Sequence, residues 1–553
     1  MRNFTALRRK VWLLLVSLLT VAMMCAGISI QFREKVSAPF FLTESGFYES
    51  AFYLEIDVPE GCSVYYTLDS SIPDRNATRY TGPIYIDNAT LNENTYSMIE
   101  EVAVSDWEIK APDFLVDKCT VIRAVAIPDA IWNSQSSQVI TKSYFVGLPP
   151  EQYDQCGIIS LVTDSKNLFD SKTGIYVTGD TLEDYLSRTA NPEEVPWAYW
   201  PANFTQRGRE WEREASATFW DPEGRMLLEK DIGIRVQGGW SRSYVPRSLN
   251  FYAREEYDDV PYFEFDFFSN GKQPEIMTLS AGGSAGFLNQ VPNYLMSVCA
   301  SNLPCSVAEH KPYVLFLDGE YWGFYWLMEK FDSTYLQQTY ELGDSDVIFI
   351  KNTELEEGYE EDFFVYKQMI QFFANNDMSH EPNYQKACEL IDINSFVDYY
   401  ATMIYVARSS DWPGHNELLW RTREVSDSPY ADGKWRWMIY DTSGFCYDHT
   451  GYDHNTLEWV LQESTIFRSL WNNPDFQIMF KTRLFEIADQ YFDAQKMTLF
   501  LTDYEETMFS PLSRNWDRFW GKESVRSDEF WLTMSNMKDF FTRRRDVVAS
   551  WFA

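Results

Sequence analysis

An uncharged run from Val11 to Ile30 constrains this chain more than any other feature, because a helix needs about 20 apolar residues to cross the hydrocarbon of a bilayer. Arg2, Arg8, Arg9 and Lys10 precede the run, and no acidic residue appears before Glu34. Basic residues favour the cytoplasmic side. The pattern therefore predicts a cytoplasmic tail over 1–10, a transmembrane signal anchor over 11–30 and a body on the extracytoplasmic face. A cleaved signal peptide is the competing reading and would yield a secreted form. The run exceeds the usual roughly 7–15 residues of such a segment, and the cleavage candidates near Ala26 and Ala38 are poor.

The rest of the chain is long enough for two or three domains with substantial cores. Its 82 acidic against 47 basic residues give a formal net charge of −35, which repels nucleic acid and argues against it as a partner. The same surface would attract a basic protein. Of eight cysteines, Cys25 lies in the apolar run, which leaves an odd number outside it. Cys62 with Cys119, or Cys299 with Cys305, could pair in an oxidising compartment.

Between Ala38 and Gly147, short β-branched and aromatic runs alternate with turns, at Phe52 to Val58, Ser63 to Leu68, Ile84 to Ile86, Val121 to Ile127 and Val139 to Val146. That spacing predicts a small antiparallel β-sandwich over 38–147. Its stretches Y-Y-T-L-D-S-S-I-P, Y-T-G-P-I and R-A-V-A-I resemble the fibronectin-like module at the C-terminus of chitobiase and β-hexosaminidase. The resemblance implies a noncatalytic spacer, with weak cell-wall or glycan contact as the further implication. Gly147-Leu148-Pro149-Pro150 reads as a linker.

From about residue 155 to 553 the chain reads as one α+β domain, with strand-like runs early and helical periodicity dominant late. Its most informative constellation is Asp411 with Asn416, followed by Asp441. The acid and amide in S-S-D-W-P-G-H-N stand at the interval found in the kinase catalytic loop H-R-D-x-x-x-x-N. A short strand, a polar turn and the strand W-R-W-M-I-Y then lead into Asp441-Thr442-Ser443-Gly444. Phosphoryl transfer needs this kind of set: carboxylate and amide oxygens to hold a divalent metal on phosphates, and one carboxylate near the incoming hydroxyl.

The stretches S-L-V-T-D-S-K-N-L-F-D, W-E-R-E-A-S-A-T-F-W-D-P-E-G, G-I-R-V-Q-G-G-W-S-R, D-G-E-Y-W-G-F-Y-W-L-M-E-K-F-D, D-W-P-G-H-N and Y-D-T-S-G-F resemble the CotH-type atypical kinases first associated with spore coats. The resemblance implies a bilobal protein-kinase-like fold that uses ATP and Mg²⁺ or Mn²⁺ to phosphorylate Ser or Thr of a protein, with Ser-rich basic proteins as candidate substrates. It assigns Asp411 the catalytic-loop role, and Asn416 and Asp441 the metal. Arg235 and the turn at Gly238, Gly239, Ser241 and Arg242 are assigned to the nucleotide phosphates, as is Arg247, with Glu329 as the candidate for its ion-pair partner or for a further metal contact.

Other features compete with this reading. Ser280, Ser284 or Ala285, and Pro292-Asn293 stand where the family commonly has charged residues, so a catalytically degenerate surface scaffold is the first alternative. A carbohydrate-active protein using Glu329 and Asp411 is the second. Gly282-Gly283-Ser284-Ala285-Gly286 fits the nucleophile elbow G-x-S-x-G, but no oxyanion-hole motif precedes it. The pairs Asp448-His449 and Asp453-His454 are metal-ligand candidates whose spacing puts the two histidines on no common face.

Overall fold

The architecture was derived from a computed structural model that describes residues 36–105, 109–129, 135–283, 289–343, 345–409, 411–443, 451–522 and 526–553. The expected membrane anchor is corrected here. Among the described residues no helix is long and apolar enough to cross a membrane, and the run over 11–30 lies outside the described residues. The anchor and the extracytoplasmic placement built on it are therefore withdrawn. Contacts divide the chain into two units, one containing 52–86 and 122–142, the other 46–51, 87–121 and 143–553.

The first unit is built from short antiparallel strand pairs. Cys62–Thr67 runs antiparallel to Thr120–Pro128, in register from Cys62 opposite Pro128 to Thr67 opposite Arg123. Phe52–Leu54 pairs with Ile84–Ile86, and Phe40–Phe41 with Ile56–Asp57. The buried Arg123 guanidinium donates to the Ser70 carbonyl at 2.9 Å and ties down the turn that follows the first of these strands.

The second unit begins with a closed barrel in the order Gly157–Val162, Arg213–Trp220, Met226–Val236, Leu249–Tyr252, Ile276–Ser280, Glu320–Glu329 and His310–Leu317. Closure is made by Gly157–Val162, which pairs antiparallel with Arg213–Trp220 and parallel with His310–Leu317. Gly157 faces Tyr313 in that parallel pair, and a Cβ there would come within 2.3 Å of the tyrosine ring. Only glycine permits that approach. Apolar alternation points Ile159, Ala217, Phe219, Ile234, Phe251 and Leu327 into one buried cluster inside the barrel.

The remaining chain is mostly helical around a separate core. Ile393–Tyr405 is buried on every face from Ser395 to Tyr405, and its one acid, Asp398, is paired with Arg483. Asp392 caps its start by accepting from the Asn394 and Ser395 N–H groups. A four-stranded sheet in the order Glu354–Glu357, Val347–Lys351, Leu418–Thr422 and Arg436–Met438 completes this part. In it Leu418 pairs with Met438. The antiparallel register thus sets the residues just before Leu418 beside those just after Met438, which brings Asn416 and Asp441 to one end of the sheet. The whole is a mixed α/β chain with a β-rich N-terminal region.

Candidate functional site

The loop carrying Asp411 is pinned by buried neighbours on both sides. Trp412 Nε1 donates to the Tyr399 hydroxyl at 2.8 Å, and the Trp412 carbonyl accepts from Trp459 Nε1 at 2.8 Å. Between these anchors Asp411 is half-buried. Its Oδ1 meets the fully buried Arg408 guanidinium at 2.7 Å, and its Oδ2 accepts from Asn416 Nδ2 at 2.7 Å. Because the Asn416 NH₂ group faces Asp411, its carbonyl oxygen is turned away from that carboxylate. Asn416 holds a left-handed φ of 49°, and Asp441 one of 47°. Such conformations cost energy in non-glycine residues and cluster at functional sites.

Asp441 follows the strand Arg436–Met438, and its Oδ1 accepts from Ser443 Oγ at 2.7 Å. Asn293 latches the next residue: its Oδ1 accepts from the Thr442 N–H at 2.8 Å and from Thr442 Oγ1 at 2.9 Å. The Pro292-Asn293 pair therefore fixes the segment that carries Asp441.

The glycine turn leaves the barrel strand Met226–Val236. Gly238 has φ 121°, and a Cβ there would lie 2.3 Å from Ser241 Oγ. Alanine at 238 is expected to distort the turn and lower the unfolding temperature, at a cost of about 1 kcal/mol. Thermal melts of the native and variant chains check this.

Arg242 serves the turn's backbone. Its guanidinium donates to the carbonyls of Gly238 at 2.7 Å and Gln206 at 2.8 Å. Burial, with Arg207 adding repulsion, lowers its pKa to about 10. Arg235 stacks over Tyr252 at 4.2 Å and approaches Glu212 at 3.5 Å, beside Arg209 and Arg254 on the same buried carboxylate.

Arg247 is not brought to the cavity. It is fully buried over the Phe204 ring at 3.7 Å and donates to the Arg242 carbonyl at 2.6 Å, so it braces the turn from behind. Nor does Glu329 pair with it. The Glu329 carboxylate takes Lys272 at 2.8 Å, Asn270 at 2.9 Å and the Glu309 N–H at 3.0 Å.

One cavity of about 1130 Å³ gathers Asp411, Asn416, Asp441, Gly238, Gly239 and Ser241, with Arg235 and Arg242 also on its wall. A smaller pocket of about 120 Å³ adjoins it through Asp441 and the glycine turn, and Glu329 lines that one. Two cations missed in the sequence, Lys330 and Lys351, line both. Among the described residues neither forms an ion pair, so both ammonium groups remain to meet an anion. Lys330 directly follows Glu329, and Lys351 ends the strand Val347–Lys351; adjacency to predicted elements was the only signal for either.

Asp332 also lines the cavity and caps the helix Ser333–Tyr340 through the Tyr335 N–H at 2.8 Å. Burial pushes its pKa up to about 7; that hydrogen bond opposes the shift and nearby Glu357 adds to it. An acid whose folded pKa exceeds its unfolded value holds extra protons in the fold, so stability falls as pH rises from about 4 to about 7. Asp332→Asn keeps a capping oxygen and removes the titration. The expected result is that the unfolding temperature of the native chain declines relative to this variant between pH 5 and 8. His310, in the small pocket, is held neutral in that range, since burial lowers its pKa to about 4.

Among the described residues no three His, Cys, Asp or Glu side chains gather to hold a metal by themselves. The Asp441 carboxylate and the Asn416 amide oxygen on one cavity wall are hard donors that suit Mg²⁺ or Mn²⁺, provided phosphate and water oxygens complete the sphere. The donor set therefore fits a metal that arrives with a nucleotide. Asp448-His449 and Ser284 to Gly286 lie outside the described residues. Cys62, Cys119, Cys156, Cys299, Cys305 and Cys388 are free thiols, so neither pairing left open by the sequence is formed.

Comparison with known families agrees with the geometry. A profile described as Fn3 associated matches residues 54–144. A search of curated proteins returned no match. A second profile, described as CotH kinase protein, matches residues 234–548, which is more than half of the chain and includes the glycine turn, Asp411, Asn416 and Asp441. On that match, the chain belongs to the CotH kinase family.

Proposed function

We propose that this chain is an atypical protein kinase that transfers the γ-phosphate of ATP to Ser or Thr hydroxyls of a protein, with the barrel and the helical part acting as the two lobes of a protein-kinase-like fold. The observation that carries this reading is the single cavity in which Asp411, Asn416, Asp441, Lys330 and Lys351 face the glycine turn. Met296, Val307, Met328, Phe349, Leu418 and Ile439 in the adjoining small pocket offer apolar walls suited to a purine.

Asp441 and the Asn416 carbonyl would hold Mg²⁺ or Mn²⁺, which when bound neutralises phosphate charge and keeps the phosphates in line for displacement. Lys330 and Lys351 add positive charge on the same wall. Backbone N–H groups of the Gly238–Gly239 turn approach the phosphates because no side chain intervenes. Asp411, held at both oxygens by Arg408 and Asn416, orients the acceptor hydroxyl. The acceptor oxygen bonds to the γ-phosphorus, the bond to the β,γ-bridging oxygen breaks, and ADP departs with that electron pair. The hydroxyl proton passes to Asp411 or to water. The β-rich N-terminal module is read as a noncatalytic spacer resembling the chitobiase C-terminal module.

Nucleotide binding tests the reading before any acceptor is known. ATP with Mg²⁺ should raise the unfolding temperature of the full chain, and Asp441→Ala should remove the Mg²⁺-dependent part. No shift with any nucleotide or divalent metal would contradict it.

A further inference from the structure

The Asp411–Asn416 loop presents different residues to two different spaces. Asp411, His415 and Asn416 line the large cavity, whereas Pro413 and Gly414 wall a second groove of about 460 Å³. The sheet hairpin does the same: Asn352 and Glu354 line the cavity, and Thr353 between them lines the groove. A chain leaving the cavity therefore meets the groove across a wall one residue thick.

The groove is shaped for an apolar side chain. Phe363, Tyr366 and Ile370 enter it from successive turns of the helix Glu360–Asn375, and Leu419 and Ile466 complete the apolar lining. The buried Glu417 among the lining residues is already engaged at both oxygens. One accepts from Trp437 Nε1 at 2.8 Å and the Tyr400 hydroxyl at 3.0 Å, and the other accepts from the Gly414 N–H at 3.0 Å. An occupant is therefore read by shape rather than by charge there. The charges left at the groove balance, with Glu463 opposed by Lys367, whose ammonium lies 4.1 Å over the Phe363 ring, so the groove selects for apolar bulk.

We propose that this groove, which shares its wall with the cavity, binds a large apolar side chain of the polypeptide being phosphorylated, a few residues from the acceptor hydroxyl. The proposal rests on the kinase reading for the occupant's identity, but binding can be measured without transfer, so the two can fail separately. The probes are fluorescein-labelled nonapeptides with a central Ser, Arg at both ends, and Leu, Phe or Ala placed at each remaining position in turn. They are titrated into the full chain by anisotropy. Leu or Phe at one position should bind about tenfold tighter than Ala, as a buried apolar anchor does. That advantage should collapse in Gln371→Trp, which fills the groove from its exposed rim, or in Ile370→Asp. Circular dichroism and thermal melts establish that each variant is folded. Equal binding of Leu, Phe and Ala peptides at every position would overturn the proposal. So would an advantage that survives in both folded variants.

Discussion

Alanine at Asp441 is expected to lower phosphate transfer from ATP by about 10³-fold while leaving the fold intact, because it removes the carboxylate proposed to hold the metal on the phosphates, a group that acts without reorganisation. Asp441 is half-buried, and the side-chain hydrogen bond at its Oδ1 comes from Ser443, so little else depends on it. Asp411 makes a less clean test. Among the described residues its carboxylate is the one ion-pair partner of Arg408, whose side chain is 1% exposed. Removing it strands a buried guanidinium, at a cost of roughly 3–5 kcal/mol for a broken buried pair. Asp411→Ala should therefore lose both activity and stability, and Asp441→Ala activity alone. Steady-state transfer assays beside thermal melts separate the two. An Asp441→Ala chain that retains more than a tenth of the native rate would remove Asp441 from the reaction.

A stability effect of the same size lies away from the cavity, at Arg544. This fully buried guanidinium donates to the Tyr405 and Ile404 carbonyls at 2.8 Å each, to the Tyr452 and His454 carbonyls at 2.7 Å each, and to Thr456 Oγ1 at 3.1 Å. Ile404 and Tyr405 end the buried helix that leads into the Asp411 loop. Orphan carbonyls at a helix end need such a donor, and a cation there also complements the helix dipole. Arg544→Met leaves several buried acceptors unmet and should cost roughly 3–5 kcal/mol. Arg544→Lys, with charge but no planar fork, should fall between. Denaturant midpoints check the order, and a methionine variant as stable as the native chain would refute this role.

Asp411, Asn416 and Asp441 could be picked out in the sequence because Asp411 and Asn416 stand at a motif interval within one loop and Asp441 ends the strand-like run W-R-W-M-I-Y. Residues just before Leu418 and just after Met438 meet once Leu418–Thr422 pairs with Arg436–Met438. The glycine turn was legible for the same reason, since Gly238 demands a backbone that other residues resist. What the sequence could not show depends on partners far away in the chain. Arg247 looked like a phosphate ligand, yet Phe204 and the Arg242 carbonyl bury it. Glu329 looked like its partner, yet Lys272 reaches it from the other end of a long loop. Lys330, Lys351 and Asn293 carry no motif. Their relevance comes from a cavity assembled by strands and helices distant in sequence, and spacing does not encode that.

The account stands or falls on transfer of phosphate. The full chain should be incubated with Mg²⁺, γ-labelled ATP and a Ser-rich basic peptide, and both peptide and chain searched for phosphoserine and phosphothreonine. Label on Ser or Thr that depends on Mg²⁺ and vanishes in Asp441→Ala is the predicted result. Absence of label on either protein or peptide, with Mg²⁺ or with Mn²⁺, would contradict it.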